Sequence, residues 1–443
     1  MLLVSYLFYA YWGWQYIPLL LGSSFVDYFC ALKMGREENK SARKPYLWIS
    51  LTINLGILFC FKYWNFIGTN ANSLFSVEFE LHDLLLPLGL SFYTLQTLSY
   101  IFDVYLGKIK PERHLGLFCL YVSFFPQLVA GPIERSRTLL PQIKSLTLPT
   151  LYQFRYGLLL IIWGFFIKLV IADNLSLIIQ SVYFTEHQFS FWVYWMCGLL
   201  TTIKVYCDFM AYSEIARGVA LLFGVNLSIN FRRPLFAKNL RSFWQRWHIS
   251  LTRWVGDYIQ IPLMKRFPKQ PQRSLVGVLS LILIGLWHGA SWNFILFGLF
   301  HGIALVVWDP LAKFFSKLPC IERYGAIGGR CSLLFIWIAH APFFYIIDTT
   351  ILFNILYKVY STHLDSLIYD LTHLQGKLML AKALFGMVFL VAYNYIAEYR
   401  KFDVIDFIAT YKSVVRASLS LFVTVITLFL GNLASEPFIY FEF

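Results

Sequence analysis

Two histidines stand where proton chemistry is possible and where an ionisable group is costly. His248 lies in Phe243-Trp244-Gln245-Arg246-Trp247-His248-Ile249-Ser250. His288 lies in Gly285-Leu286-Trp287-His288-Gly289-Ala290-Ser291-Trp292, at the end of the apolar run from Leu275 to Leu286. Hydrocarbon penalises ionisable side chains, so a histidine at membrane depth is a functional candidate by default. Imidazole titrates near neutral pH and can take the proton of a hydroxyl. The pair therefore points to group transfer onto a hydroxyl inside a membrane, or to a relay in a proton-coupled transporter.

The neighbours of the pair carry the next candidates. Gly285 and Gly289 bracket His288, and their missing side chains leave room for a substrate or for a close helix. Arg246, Trp247 and Trp287 adjoin the histidines and are candidates for substrate or tunnel contact, with a basic aromatic interface belt as the alternative. Asp208 and Glu214 fall in apolar sequence, where a carboxylate pairs with a basic group or faces a polar cavity, and Asp208 joins the tunnel candidates. His301 would lie about 20 Å from His288 on a continuous helix and on another face, so it is read as structural. His340 is read the same way. His82, His114, His187, His363 and His373 lie in or near loops and carry no assignment.

The elements that must position these residues are membrane helices. The 443 residues are 58% hydrophobic and 14% charged, against about 25% charged in soluble domains. Mean hydropathy is +0.61. The chain is read as a single all-α polytopic membrane domain of roughly ten to twelve helices. Candidate spans fall near 4–22, 47–64, 84–105, 115–130, 155–182, 190–207, 211–224, 275–287, 290–308, 331–348, 376–396 and 415–433. Proline and glycine around 87–89 and 126–132 predict broken or re-entrant helices, which are tolerated where they line a cavity. Met1 to Leu32 has no basic n-region or small-residue cleavage motif and reads as membrane helix.

A net charge of +13 is not a nucleic-acid signal in such a chain. Lys and Arg accumulate in cytoplasmic connections and can meet anionic lipid headgroups. Lys33 to Lys44, Lys108 to Arg113, Arg232 to Arg253 and Lys265 to Arg273 are the basic connections, and all are expected on the cytoplasmic side. Between the last two, Leu251 to Leu263 is too short to span and is expected along that interface. The seven cysteines form no CxxC pair, so packing is their expected role and no metal is expected.

Several segments are similar to one known family. FWQRWHISLTRWVGDYIQIPL and GLWHGASWNFILFGLFHG resemble the membrane-bound O-acyltransferases, in the branch containing the alginate O-acetyltransferase membrane subunit and the D-alanyl transferase of teichoic acid modification. LLLPLGLSFYTLQTLSYIFDVYLGKIKP, FFPQLVAGPIERSRTLLPQI and YCDFMAYSEIARGVALLFGVNLSINFRRPL resemble the same branch, in the same order, over about residues 84–302. The chain departs from that branch at Gln245, at Gly256 before Asp257, at Met264 to Phe267 and at Phe209 to Ser213.

The resemblance implies that His288, in the WHG motif, is the catalytic histidine and that His248, in the RWH motif, is a second active-site histidine. It further implies a fold of short or re-entrant helices around a central tunnel in a bacterial inner membrane. The implied activity passes acetyl from a cytoplasmic thioester, acetyl-CoA or an acyl carrier protein, to an exported polysaccharide such as alginate. An extracytoplasmic acyltransferase is the implied partner, and no bound cofactor is expected. D-alanyl or another acyl transfer to a different envelope polymer is the alternative within the family.

Overall fold

The computed structural model describes residues 1–82, 84–315, 321–361, 370, 374–434 and 437–439. His363, His373 and Cys320 lie outside the described residues. Helix is the regular secondary structure of the described residues, with no strand among them. Six helical stretches are long and apolar enough to cross a membrane: Leu2–Met34, Lys40–Phe75, Leu151–Tyr183, Ile327–Tyr345, Lys377–Tyr399 and Ser413–Leu430. Shorter apolar helices run over Gln272–His288, Trp292–Trp308 and Thr349–Val359. This is a multi-pass membrane protein.

The rim and the centre follow different chemistry. Ser413–Leu430 buries only Thr427, and its Leu421 and Phe429 are 65% and 78% exposed, as a lipid-facing helix requires. Leu90–Tyr105 is the reverse, buried on nearly every side. Its Phe92, Leu95 and Leu98 join the main core, while Leu90, Tyr93 and Tyr100 join a second core built by the N-terminal helices. One helix therefore ties the two cores together.

Leu90–Tyr105 starts later than the span expected at 84–105. Gly89 caps it at φ +74°, and a Cβ there would lie 2.3 Å from the Leu128 carbonyl oxygen. Only glycine meets both conditions without strain. The stretch before it stays non-helical. The span expected at 115–130 is likewise broken, into Leu115–Ser123 and Phe125–Leu128, with Pro126 in the first turn of the second piece.

The spans expected at 190–207 and 211–224 are one helix, Phe191–Leu221. Asp208 lies inside it, and a satisfied carboxylate has no reason to interrupt a helix. Lys168 Nζ lies 2.8 Å from Asp208 and 2.7 Å from Asp173. The second oxygen of Asp208 accepts a 2.7 Å bond from the Ile439 N–H. Glu214 pairs in the same way with Arg217, at 2.5 Å.

Between Phe191–Leu221 and Gln272–His288 the chain forms the short helices Pro234–Phe236 and Leu240–Trp244, then one helical run in which the π-helical turn Gly256–Gln260 joins Ile249–Val255 to Ile261–Arg266. None of these is among the helices long and apolar enough to cross a membrane. Gln272–His288 and Trp292–Phe315 then form a tight helical hairpin across Gly289 to Ser291.

Candidate active site

His288 is the last residue of Gln272–His288, so its carbonyl and the two before it lack acceptor duties inside the helix. A distant helix supplies their partners. Lys62 Nζ donates to the carbonyls of Trp287, at 2.7 Å, and His288, at 2.9 Å. The Tyr63 hydroxyl donates to the Leu286 carbonyl at 2.8 Å. Both donors belong to a π-helical turn, Phe59–Tyr63, within the long helix Lys40–Phe75. A cation at the negative end of a helix dipole fixes where the helix stops and where the imidazole points.

His248 is positioned by strain rather than by a helix end. It precedes Ile249–Val255 with φ +40° and ψ +55°, the left-handed region that non-glycine residues seldom occupy. A polar clamp on the following residues holds it there. Ile249 N–H donates to the Asn230 carbonyl at 2.9 Å, and the Ser250 hydroxyl donates to Asn230 Oδ1 at 2.6 Å. Asn230 in turn donates to Ser213 Oγ at 3.2 Å. Ser250 Oγ also receives the Ile133 N–H at 3.0 Å.

These devices bring the two histidines together. Their ring centroids are 6.1 Å apart, with His248 1% and His288 3% exposed. Phe209 stands 4.7 Å and Trp287 5.6 Å from the His248 ring, and Phe92 stacks on it at 6.5 Å. Phe344 meets the His288 ring edge-on at 4.9 Å. The arrangement is two imidazoles in an apolar, aromatic enclosure. Such a setting strengthens any charge interaction that develops there.

Two cavities lie near the pair, and His288 lines the smaller. A small one, of about 40 Å³, is bounded by Lys62, Pro87, Leu88, Gly89, Trp287 and His288 itself. A far larger one, of about 760 Å³, opens among Arg241, Trp244, Gln245, Thr252, Met264, Arg273, Leu281 and Ile284. Its inner wall ends one helical turn from each histidine, at Thr252 and at Ile284. Gln245 and Met264, two of the departures from the family pattern, line this space.

The other candidates are dispersed. Trp287 and Trp247 belong to the aromatic surroundings, Trp247 packing on Phe231 and Phe243 at 5.2 Å each. Arg246 turns away to Glu398, at 3.0 Å, which also receives Arg233 at 3.1 Å. Asp208 serves the ion group described above and borders neither cavity. Gly285 and Gly289 do not open onto a tunnel. A Cβ on Gly285 would lie 2.0 Å from the Phe294 carbonyl oxygen, and one on Gly289 would lie 2.0 Å from the Phe294 ring. Their bare faces are filled by the next helix, so close packing is their role. His301 lies beside His340, ring centroids 4.8 Å apart, on the far side of Phe297 from His288.

Lys62 is the site residue that motif reading passes over. Its signal is a lone cation in the apolar run Ile57-Leu58-Phe59-Cys60-Phe61-Lys62-Tyr63. The rule that singles out an intramembrane histidine applies to it equally.

The model of the membrane-bound O-acyltransferase family matches residues 114–347, later at both ends than the expected 84–302. Over 355 residues the chain is 36% identical to a peptidoglycan O-acetyltransferase of Helicobacter pylori, covering 72% of this chain and 67% of that protein. It is 34% identical over 314 residues to a probable alginate O-acetylase of Pseudomonas aeruginosa, covering 69% and 60%. It is 29% identical over 247 residues to a teichoic acid D-alanyltransferase of Bacillus subtilis, covering 53% and 62%. The chain thus spans about two thirds of the length of the curated relatives it matches.

Proposed function

The chain belongs to the membrane-bound O-acyltransferase family, a family of acyl-transferring enzymes, and we propose that it passes acetyl groups from a cytoplasmic thioester to a hydroxyl on the other side of an inner membrane. The observation that carries this reading is the placement of His248 and His288, 6.1 Å apart, with His288 on the wall of the small cavity and the large cavity reaching Thr252 and Ile284, one helical turn from each histidine. The large cavity suits the donor, either acetyl-CoA or an acetylated carrier protein. Arg241 and Arg273 on its wall complement phosphate groups on such a donor. The basic connections that carry them would face the cytoplasm. The acceptor would approach from the side of Lys62 and Gly89.

His288 acts as general base in this scheme. The acceptor oxygen attacks the thioester carbonyl while its proton passes to the imidazole. The carbon–sulfur bond then breaks, and the proton returns to the departing thiolate, so that ester and thiol are released and the histidine is regenerated. His248 orients the donor carbonyl. The relatives named for acetyl transfer to alginate and peptidoglycan favour an exported or envelope glycan as final acceptor, reached directly or through an extracytoplasmic acyltransferase partner.

The test is label transfer in membrane vesicles fed radiolabelled acetyl-CoA, or acetylated carrier protein, with wild type and His288→Ala compared. Label should reach polymer or partner in wild type and fall by roughly 10²–10⁴-fold in the variant. Transfer that persists in a purified, folded His288→Ala protein sinks the assignment. Label that follows D-alanine instead identifies the alternative reaction. Flux of a solute without covalent transfer would identify a transporter.

A further inference from the structure

Behind the imidazole pair lies a third, small compartment that the scheme above does not use. Thr201, Thr202, Trp247, His301 and His340 line it, with a volume of about 10 Å³, too little for more than one water. Val205, Phe243, Phe297, Ala341 and Phe344 complete a lining that is mostly apolar, so its polar character rests on the two histidines. His301 is fully buried, and neither of its ring nitrogens has a hydrogen-bond partner among the described residues. His340 Nδ1 bonds the Ile336 carbonyl at 2.9 Å, and Thr202 donates to the Trp337 carbonyl at 2.8 Å.

Two phenylalanines partition this compartment from His288. Phe297 touches both sides, with its ring centroid 6.4 Å from His288, 4.7 Å from His301 and 5.4 Å from His340. Phe344 stands 4.9 Å from His288 and 5.2 Å from Phe297 and borders the compartment as well. Both are buried. An acyl chain growing beyond His288 in this direction therefore meets two aromatic rings, and beyond them a small space whose polar groups include the ring nitrogens of His301.

We infer that Phe297 and Phe344 form the acyl-length stop of this enzyme, holding it to two-carbon donors, and that the His301–His340 compartment is a latent subsite for the polar end of a longer acyl group. The inference rests on the transferase reading above. The chemical step is unchanged, with only the acyl substituent differing. Truncating either ring opens space on the order of 100 Å³ between the two compartments. In an apolar pocket one methylene is worth about 10–200-fold in discrimination, so the wall is a sufficient filter against butyryl. A hydroxyl carried past the wall would meet the open ring nitrogens of His301.

The experiment is competition among acetyl-, butyryl- and 3-hydroxybutyryl-CoA for label transfer by wild type, Phe297→Ala and Phe344→Ala, with melting temperatures recorded. Phe344→Leu is the milder companion should either alanine variant fail to fold. Wild type should take acetyl alone. In the variants the butyryl-to-acetyl ratio should rise at least about tenfold, with 3-hydroxybutyryl gaining more than butyryl. Folded variants that keep the wild-type ratio overturn the length stop. A gain for butyryl with none beyond it for 3-hydroxybutyryl overturns the polar subsite. Wild type that transfers no acyl group from any donor instead refutes the transferase reading beneath the proposal.

Discussion

Lys62 Nζ lies 2.9 Å from the carbonyl oxygen of His288, though 226 residues separate the two in sequence. The ammonium binds the backbone beneath the imidazole. It holds the end of the helix that carries it, and so couples the N-terminal helices to the centre of the candidate site.

Lys62→Met should expose that coupling. The Trp287 and His288 carbonyls would each lose a donor in a buried setting, a loss of roughly 1–3 kcal/mol. The melting temperature should fall and acyl transfer should fall further than stability alone explains, because the imidazole is no longer fixed. A variant with unchanged melting temperature and activity would show that the contact is incidental.

At His248 the backbone and the ring can be tested separately. Left-handed geometry costs a β-carbon-bearing residue roughly 1–2 kcal/mol, and asparagine tolerates it better than most. His248→Asn should therefore be more stable than His248→Ala by about 1 kcal/mol, while both lose transfer to a similar degree. Equal stability in chemical denaturation would mean that the positive φ carries no strain of consequence.

Gly285→Ala and Gly289→Leu should reduce transfer of every acyl donor by the same factor and lower the melting temperature together. The Cβ positions collide with Phe294 rather than with open space. A selective loss of long donors with stability intact would return these glycines to the acyl path.

Asp208→Ala should be among the most damaging substitutions outside the histidine pair. It leaves Lys168 with one carboxylate and the Ile439 N–H without its acceptor. Breaking a buried ion pair from one side costs roughly 3–5 kcal/mol. Thermal unfolding of detergent-solubilised protein measures this, and a loss well under 1 kcal/mol would mean that water already reaches the group.

The contrast between these residues explains what the sequence made legible. His248 and His288 were visible because a polar side chain in an apolar or aromatic motif is a local signal. The break before Leu90 was visible for the same reason, since Pro87 and Gly89 act on their own backbone. Asp208 was visible only in part: its need for a basic partner followed from its surroundings, but that partner, Lys168, comes from another helix. Gly285 and Gly289 left both readings open because the space beside a glycine is decided by whichever element fills it. Lys62 belongs to the same class. Its meaning lies in a helix end more than two hundred residues away, and no window of local sequence contains both.

The ion group around Lys168 also bears on the order in which the molecule is completed. Its last partner, the N–H of Ile439, is synthesised after all six long apolar helices. The ion group of Lys168, Asp173 and Asp208 is therefore completed by a segment that follows every one of those helices in the chain.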